Sequence, residues 1–159
     1  MSETAKRIIS GLTIGAIVIL ALLFPDFYYS ILTLLLVLVF TTLGVAEFYS
    51  LTDKGLEGRA MKGIGLFFSV AFVFLFYVQY LSIRSLSGHA APGWLTPDIA
   101  QVARDIFPLV AALFMILTMS THLIRRPLDG TIYGVSTTLF GVLYCCIPFC
   151  HVFLVLAHE

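Results

Sequence analysis

Charge is segregated along this chain. Five stretches contain no Asp, Glu, Lys or Arg: residues 8–24, 28–46, 63–81, 106–124 and 130–157. They are 17, 19, 19, 19 and 28 residues long, and every charged residue lies between or beyond them. A charge at the centre of a bilayer costs about 2.5–3.5 kcal/mol on insertion scales, which accounts for the pattern. Each stretch is close to the ~20 apolar residues that a spanning helix needs. Backbone amides in hydrocarbon must be satisfied within their own segment, so helices or closed barrels are the options. Barrel strands alternate over about 10 residues, and these runs are longer and uniformly apolar. The expected fold is all-α: a polytopic integral membrane bundle of about five transmembrane helices, forming one membrane domain over residues 1–159.

Composition excludes other classes. Hydrophobic residues make up 60% of the chain and charged residues 11%. Mean hydropathy is +1.03. A soluble domain carries about 25% charged residues to solvate its surface. Nine basic residues balance nine acidic ones, so no bulk field draws a polyanion. A soluble enzyme and a nucleic-acid binder are both excluded as readings.

Lys and Arg set the expected topology. Lys6 and Arg7 precede the first stretch, Lys54, Arg59 and Lys62 lie in the second loop, and Arg125 and Arg126 open the fourth. The alternate face holds only Arg84 and Arg104, both in the third loop. The positive-inside rule puts the richer face in the cytoplasm. The expectation is a multi-pass protein of the inner membrane, N-terminus cytoplasmic and C-terminus outside. Lys6-Arg7 resembles the start of a secretory leader, but no A-x-A-like cleavage site follows, so the segment is read as a span. In the third loop Trp94 is expected at headgroup level. Thr96-Pro97-Asp98 reads as a helix start, Thr96 as N-cap and Pro97 at the first helical position. Ile99, Val102 and Ile106 then share a face, which predicts a short interfacial helix feeding the fourth span.

Several groups are candidates for chemistry. Glu47 closes the second span, either facing headgroups or making a buried polar contact. The mixed-charge second loop reads as a solvated loop, or its three cations, Lys54, Arg59 and Lys62, hold an anionic lipid at about 1 kcal/mol each near the surface. Arg125-Arg126 stands at a membrane exit, and the planar guanidinium suits phosphate. Cys146, Cys150 and His151 invite a metal reading, but zinc wants four convergent ligands and no partner cluster occurs elsewhere. No metal site is expected, and the three cysteines read as small packing residues rather than a disulfide framework. Gly11 and Gly15 form one GxxxG. Gly130, Gly134, Gly141 and Cys145 share a face of the last span, where close backbone approach is expected. Inward-facing acids are widely spread, and no phosphate-cradling glycine loop ending in Lys-Ser/Thr occurs. No catalytic residue emerges from the residues alone.

The order of wording along the chain goes further. Lys6-Arg7-Ile8-Ile9-Ser10-Gly11-Leu12 opens the first span, and Glu47-Phe48-Tyr49-Ser50-Leu51 closes the second. Lys62-Gly63-Ile64-Gly65 leads into the third. Arg125-Arg126-Pro127-Leu128-Asp129-Gly130 is followed by Ser136-Thr137-Thr138-Leu139-Phe140-Gly141-Val142-Leu143-Tyr144. In this order the chain resembles the N-terminal half of the bacterial phosphatidate cytidylyltransferase family (CDP-diacylglycerol synthases). The resemblance implies the membrane part of an enzyme that makes CDP-diacylglycerol and pyrophosphate from CTP and phosphatidate in phospholipid biosynthesis. The family's C-terminal signature, a Ser/Lys/Arg stretch, a Lys-Asp, then His-Gly-Gly and Asp-Arg, has no counterpart here. No catalytic residue carries over, and the chain alone is expected to be inactive. Mg²⁺ and CTP are expected only for the complete enzyme. Arg125, Arg126 and Lys62 are the candidates for lipid phosphate contact. Phosphatidate, a second copy and a missing C-terminal half are the expected partners, and nucleic acid is not. The alternative is a non-catalytic membrane protein, an accessory subunit or a degenerate remnant.

Overall fold

The computed structural model describes residues 15–16, 19, 30–53, 59–88, 92–125 and 130–157. Four helices account for most of them: α1 (Ile31–Leu51), α2 (Lys62–Leu86), α3 (Pro97–Arg125) and α4 (Thr131–Leu156). All four are long and apolar enough to cross a membrane. The described structure is therefore all-helical and of the multi-pass type. The expected first span, 8–24, lies outside the described residues apart from Gly15, Ala16 and Ile19, so four of the five expected spans are seen.

Three of the four helices run on past their charge-free stretches, whereas α4 stops one residue inside its stretch at each end. α1 continues past Ala46 to Leu51 because Tyr49, one turn from its end, is fully buried. α2 continues past Leu81 to Leu86. Arg84, expected as a loop cation, is instead buried at 8% exposure and donates from Nη1 to the Tyr80 hydroxyl at 2.9 Å. That leaves the phenol proton for Ser30 Oγ, 2.6 Å away. Thr96 and Pro97 take their expected places: the Ile99 N–H reaches Thr96 Oγ1 at 3.3 Å, and the helix starts at Pro97. The short interfacial helix is not separate, however. It is continuous with the fourth span through Pro108, giving one helix of 29 residues. Ile99, Val102 and Ile106 are all exposed on it.

Consecutive helices alternate in direction. α2 and α4 make the middle of the bundle, and α1 and α3 each pack on both. The apolar window of α2 is 50% buried, against 17% for α3, which makes α3 the peripheral element. The core is aromatic. Phe68, Phe72 and Phe76 recur at four-residue steps on α2 and meet Phe107 and Phe114 of α3, with Phe68 and Phe114 centroids 4.8 Å apart. At the far end Tyr77 and Tyr80 pack on Phe153 of α4. Several hydroxyls in this apolar setting are satisfied within their own helix, although Thr41 Oγ1, fully buried on α1, has no partner among the described residues. Thr42, Ser69, Thr118, Thr121 and Thr138 each donate to the carbonyl four residues back, at 2.6–2.7 Å. In hydrocarbon that internal bond avoids the cost of an unmet polar group.

Candidate functional site

Glycine notches build one end of the bundle. Gly65 of α2 and Gly141 of α4 flank the Tyr49 ring. A Cβ at Gly65 would overlap the Tyr49 hydroxyl, and one at Gly141 would overlap the ring edge. The ring has no room to yield, being closed in from both sides. Its hydroxyl donates to the Thr138 carbonyl at 2.7 Å. Thr138 Oγ1 in turn accepts from the Met61 N–H at 2.9 Å. This pair of bonds pins the segment entering α2 against α4. A third notch lies two turns before Gly141 on α4: a Cβ at Gly134 would overlap the fully buried His122 ring and press on the Arg59 carbonyl, 3.2 Å away. The expected close approach on the Gly134–Gly141 face is thus present, but side-chain rings and a loop carbonyl fill it rather than another helix backbone. Gly11 lies outside the described residues, and a Cβ at Gly15 would meet no described atom.

These contacts gather cations. Residues 59–64, with Thr121 and Arg125 of α3, line a pocket of about 390 Å³. Arg59 and Lys62 come from the loop and the start of α2, and Arg125 from the last turn of α3. His122 packs at Gly134, and Arg125 follows three residues later on the same helical face, so the notch also positions Arg125. Beside the pocket, Asp53 Oδ2 accepts from Arg59 Nε at 2.9 Å and lies 3.4 Å from Lys62 Nζ. Partial desolvation pushes the Asp53 carboxyl up, but hydrogen bonds and charge from Arg59 and Lys62 outweigh it and hold it below the usual carboxylate range. Arg125 has no ion pair among the described residues. The N-terminus of α2 also borders the pocket, with no side chain capping it and no acid in its first turn. A helix N-terminus adds partial positive charge and N–H donors.

The expected phosphate contacts are therefore brought together in part. Lys62 and Arg125, from different loops, line one pocket. Arg126 lies outside the described residues. Arg59, one of the three second-loop cations read as able to hold anionic lipid, joins them. Glu47 is exposed on α1, and its neighbour Tyr49 makes the buried contact. Cys146 and Cys150 face inward with sulfurs 3.6 Å apart, while His151 is exposed and bonded to the Ile147 carbonyl at 2.8 Å.

The pocket does not fit Mg²⁺, the ion that the family resemblance implies. Magnesium takes carboxylate, phosphate and water oxygens. The charged groups lining this pocket are cations, and the adjacent carboxylate is held by two of them. Among the described residues no three His, Cys, Asp or Glu come close enough to share a metal. What the arrangement can do is hold a phosphate at the end of the apolar bundle. No family model, curated protein or solved structure matches the chain.

Proposed function

We propose that this chain is the membrane-embedded N-terminal part of a phosphatidate cytidylyltransferase, contributing a pocket for lipid phosphate and no catalytic carboxylate. The observation that carries the reading is the convergence of Arg59, Lys62 and Arg125 on one pocket at the end of membrane-length helices. Its volume lies within the ~300–1,000 Å³ range of small-molecule sites. Its cations stand at the ends of helices long enough to cross a bilayer, so headgroup phosphates would meet them there while the spans face acyl chains. The positive-inside rule assigns this end to the cytoplasm, where CTP is available to the complete enzyme.

A non-catalytic membrane protein, an accessory subunit or degenerate remnant that holds lipid phosphate, is the second reading, and the three-cation lining of the pocket fits it equally well. Co-expression separates the two. The chain is produced with a phosphatidate cytidylyltransferase lacking its own N-terminal spans, and CTP-dependent pyrophosphate release is measured in membranes. Restored turnover that Arg125→Gln removes supports the enzyme reading. Phosphatidate co-purifying with the chain but restoring no turnover supports the non-catalytic one. With neither result, the phosphate pocket itself is abandoned.

A further inference from the structure

We propose that Asp53 is an internal counter-anion that determines the charge specificity of this pocket: its carboxylate lowers affinity for every phosphate ligand in proportion to that ligand's charge. The inference rests on the phosphate reading above and adds a residue and a sign to it.

The geometry is specific. One oxygen, Oδ2, engages both Arg59 and Lys62, the two cations on the α2 side of the pocket. The Asp53 side chain is only 20% exposed, against 48% for Arg59 and 40% for Lys62. It is the best covered partner of the three. The preceding residue is tied down as well, because the Tyr133 hydroxyl of α4 donates to the Thr52 carbonyl at 3.3 Å. A tethered carboxylate in this position stays near the cations whether or not a ligand is bound. Arg125 approaches from the other wall without a carboxylate among the described residues.

Electrostatic energy is ligand charge multiplied by local potential, so a fixed carboxylate opposes a dianion twice as strongly as a monoanion. A phosphate monoester carries about −1.5 to −2 near neutral pH, and a diester carries a single charge. Asp53 therefore narrows the preference for monoesters that three unopposed cations would impose. Asparagine isolates this effect, because it keeps an acceptor for Arg59 Nε and removes only the charge.

The test uses the full chain in phosphatidylcholine nanodiscs. Binding of short-chain phosphatidate, short-chain phosphatidylglycerol and glycerol 3-phosphate is measured for the native chain, Asp53→Asn, Asp53→Glu and Arg125→Gln. Asp53→Asn is expected to tighten phosphatidylglycerol about fivefold, the effect of one surface charge on one ligand charge. Phosphatidate is expected to tighten by about the square of that factor, while Asp53→Glu stays near the native values. Equal gains for both lipids, no gain, or weaker binding overturns the counter-anion role. A general structural effect would move both ligands alike. Binding of glycerol 3-phosphate as tight as that of phosphatidate overturns the lipid reading and leaves the counter-anion role standing on its charge scaling. No binding, with no response to Arg125→Gln, overturns both.

Discussion

Tyr49 shows how one side chain organises an end of this bundle. It is fully buried, it lies between two glycines from different helices, and it donates to the backbone of Thr138. Thr138 also receives the Met61 N–H at the entrance of α2. Thr138→Val keeps the shape and leaves a buried N–H unmet, at a cost of about 1–3 kcal/mol. Tyr49→Phe loses one hydrogen bond and is expected to cost about 1 kcal/mol. Thermal unfolding in detergent ranks the two, and a larger loss from Tyr49→Phe would contradict the assignment of Thr138 as the anchor. Asp53 makes a pH prediction. Its folded-state carboxyl lies below its ordinary value, so its pairing with Arg59 and Lys62 is present above the unfolded value and is lost as pH falls through the folded one. Asp53→Asn should remove the part of the acid-side stability loss that belongs to this carboxylate, read from melts across the acid range. At this scale the sequence was partly legible: Glu47 is exposed, as the headgroup-facing reading of it requires, whereas nothing in the sequence marked Tyr49 as the buried group. Burial depends on which face of α1 meets α2 and α4, and a uniformly apolar helix carries no stripe that reveals its inner face.

Between elements, packing replaces hydrophobic drive. Lipid is as apolar as Leu, so helix association rests on close contact and polar satisfaction. Gly134→Leu should drive the His122 ring and the Arg59 carbonyl away from α4 and open the α3–α4 contact next to the pocket. Overpacking typically costs about 1–3 kcal/mol, and Arg125 should lose its position in the same step. Ile132, 84% exposed on the same helix, is the control. Ile132→Ala should leave the melting temperature nearly unchanged. A comparable loss from both variants would show that the notch is not under packing load. The aromatic stripe allows a second comparison. Phe114→Ala opens a cavity against Phe68 and Phe72. It should cost less than the ~3–5 kcal/mol of a soluble core, because the unfolded-in-membrane chain already keeps that side chain out of water. Which helix meets the phenylalanines of α2 is decided by the bundle and not by the sequence of α2 alone.

For the molecule as a whole, the segregation of charge predicts a definite orientation. Cysteine placed at position 54 should react with a membrane-impermeant reagent only from the cytoplasmic side, and at position 94 only from the outside. The native Cys145, Cys146 and Cys150 lie within α4 and two are fully buried, so their background is small. Reversed labelling would invert the bundle and move the cationic pocket away from cytoplasmic CTP. Residues 59–61 of the second loop and Arg125 of α3 line one pocket, so the segments that the cation count assigns to one face do lie at the same end of the bundle.

The sequence by itself determined that the chain is helical and of membrane type, where four of its helices run, and where α3 begins. Those properties follow from local rules: the cost of charge in hydrocarbon, the obligatory internal hydrogen bonding of the backbone, and the chemistry of an N-cap. Only the tertiary structure decided that Arg59, Lys62 and Arg125 share one pocket, that Arg84 is a buried group, and that glycine notches hold Tyr49 and His122. These depend on the rotation of each helix about its own axis. In helices apolar on every side, shape matching between distant residues sets that rotation, and no periodicity in the sequence records it.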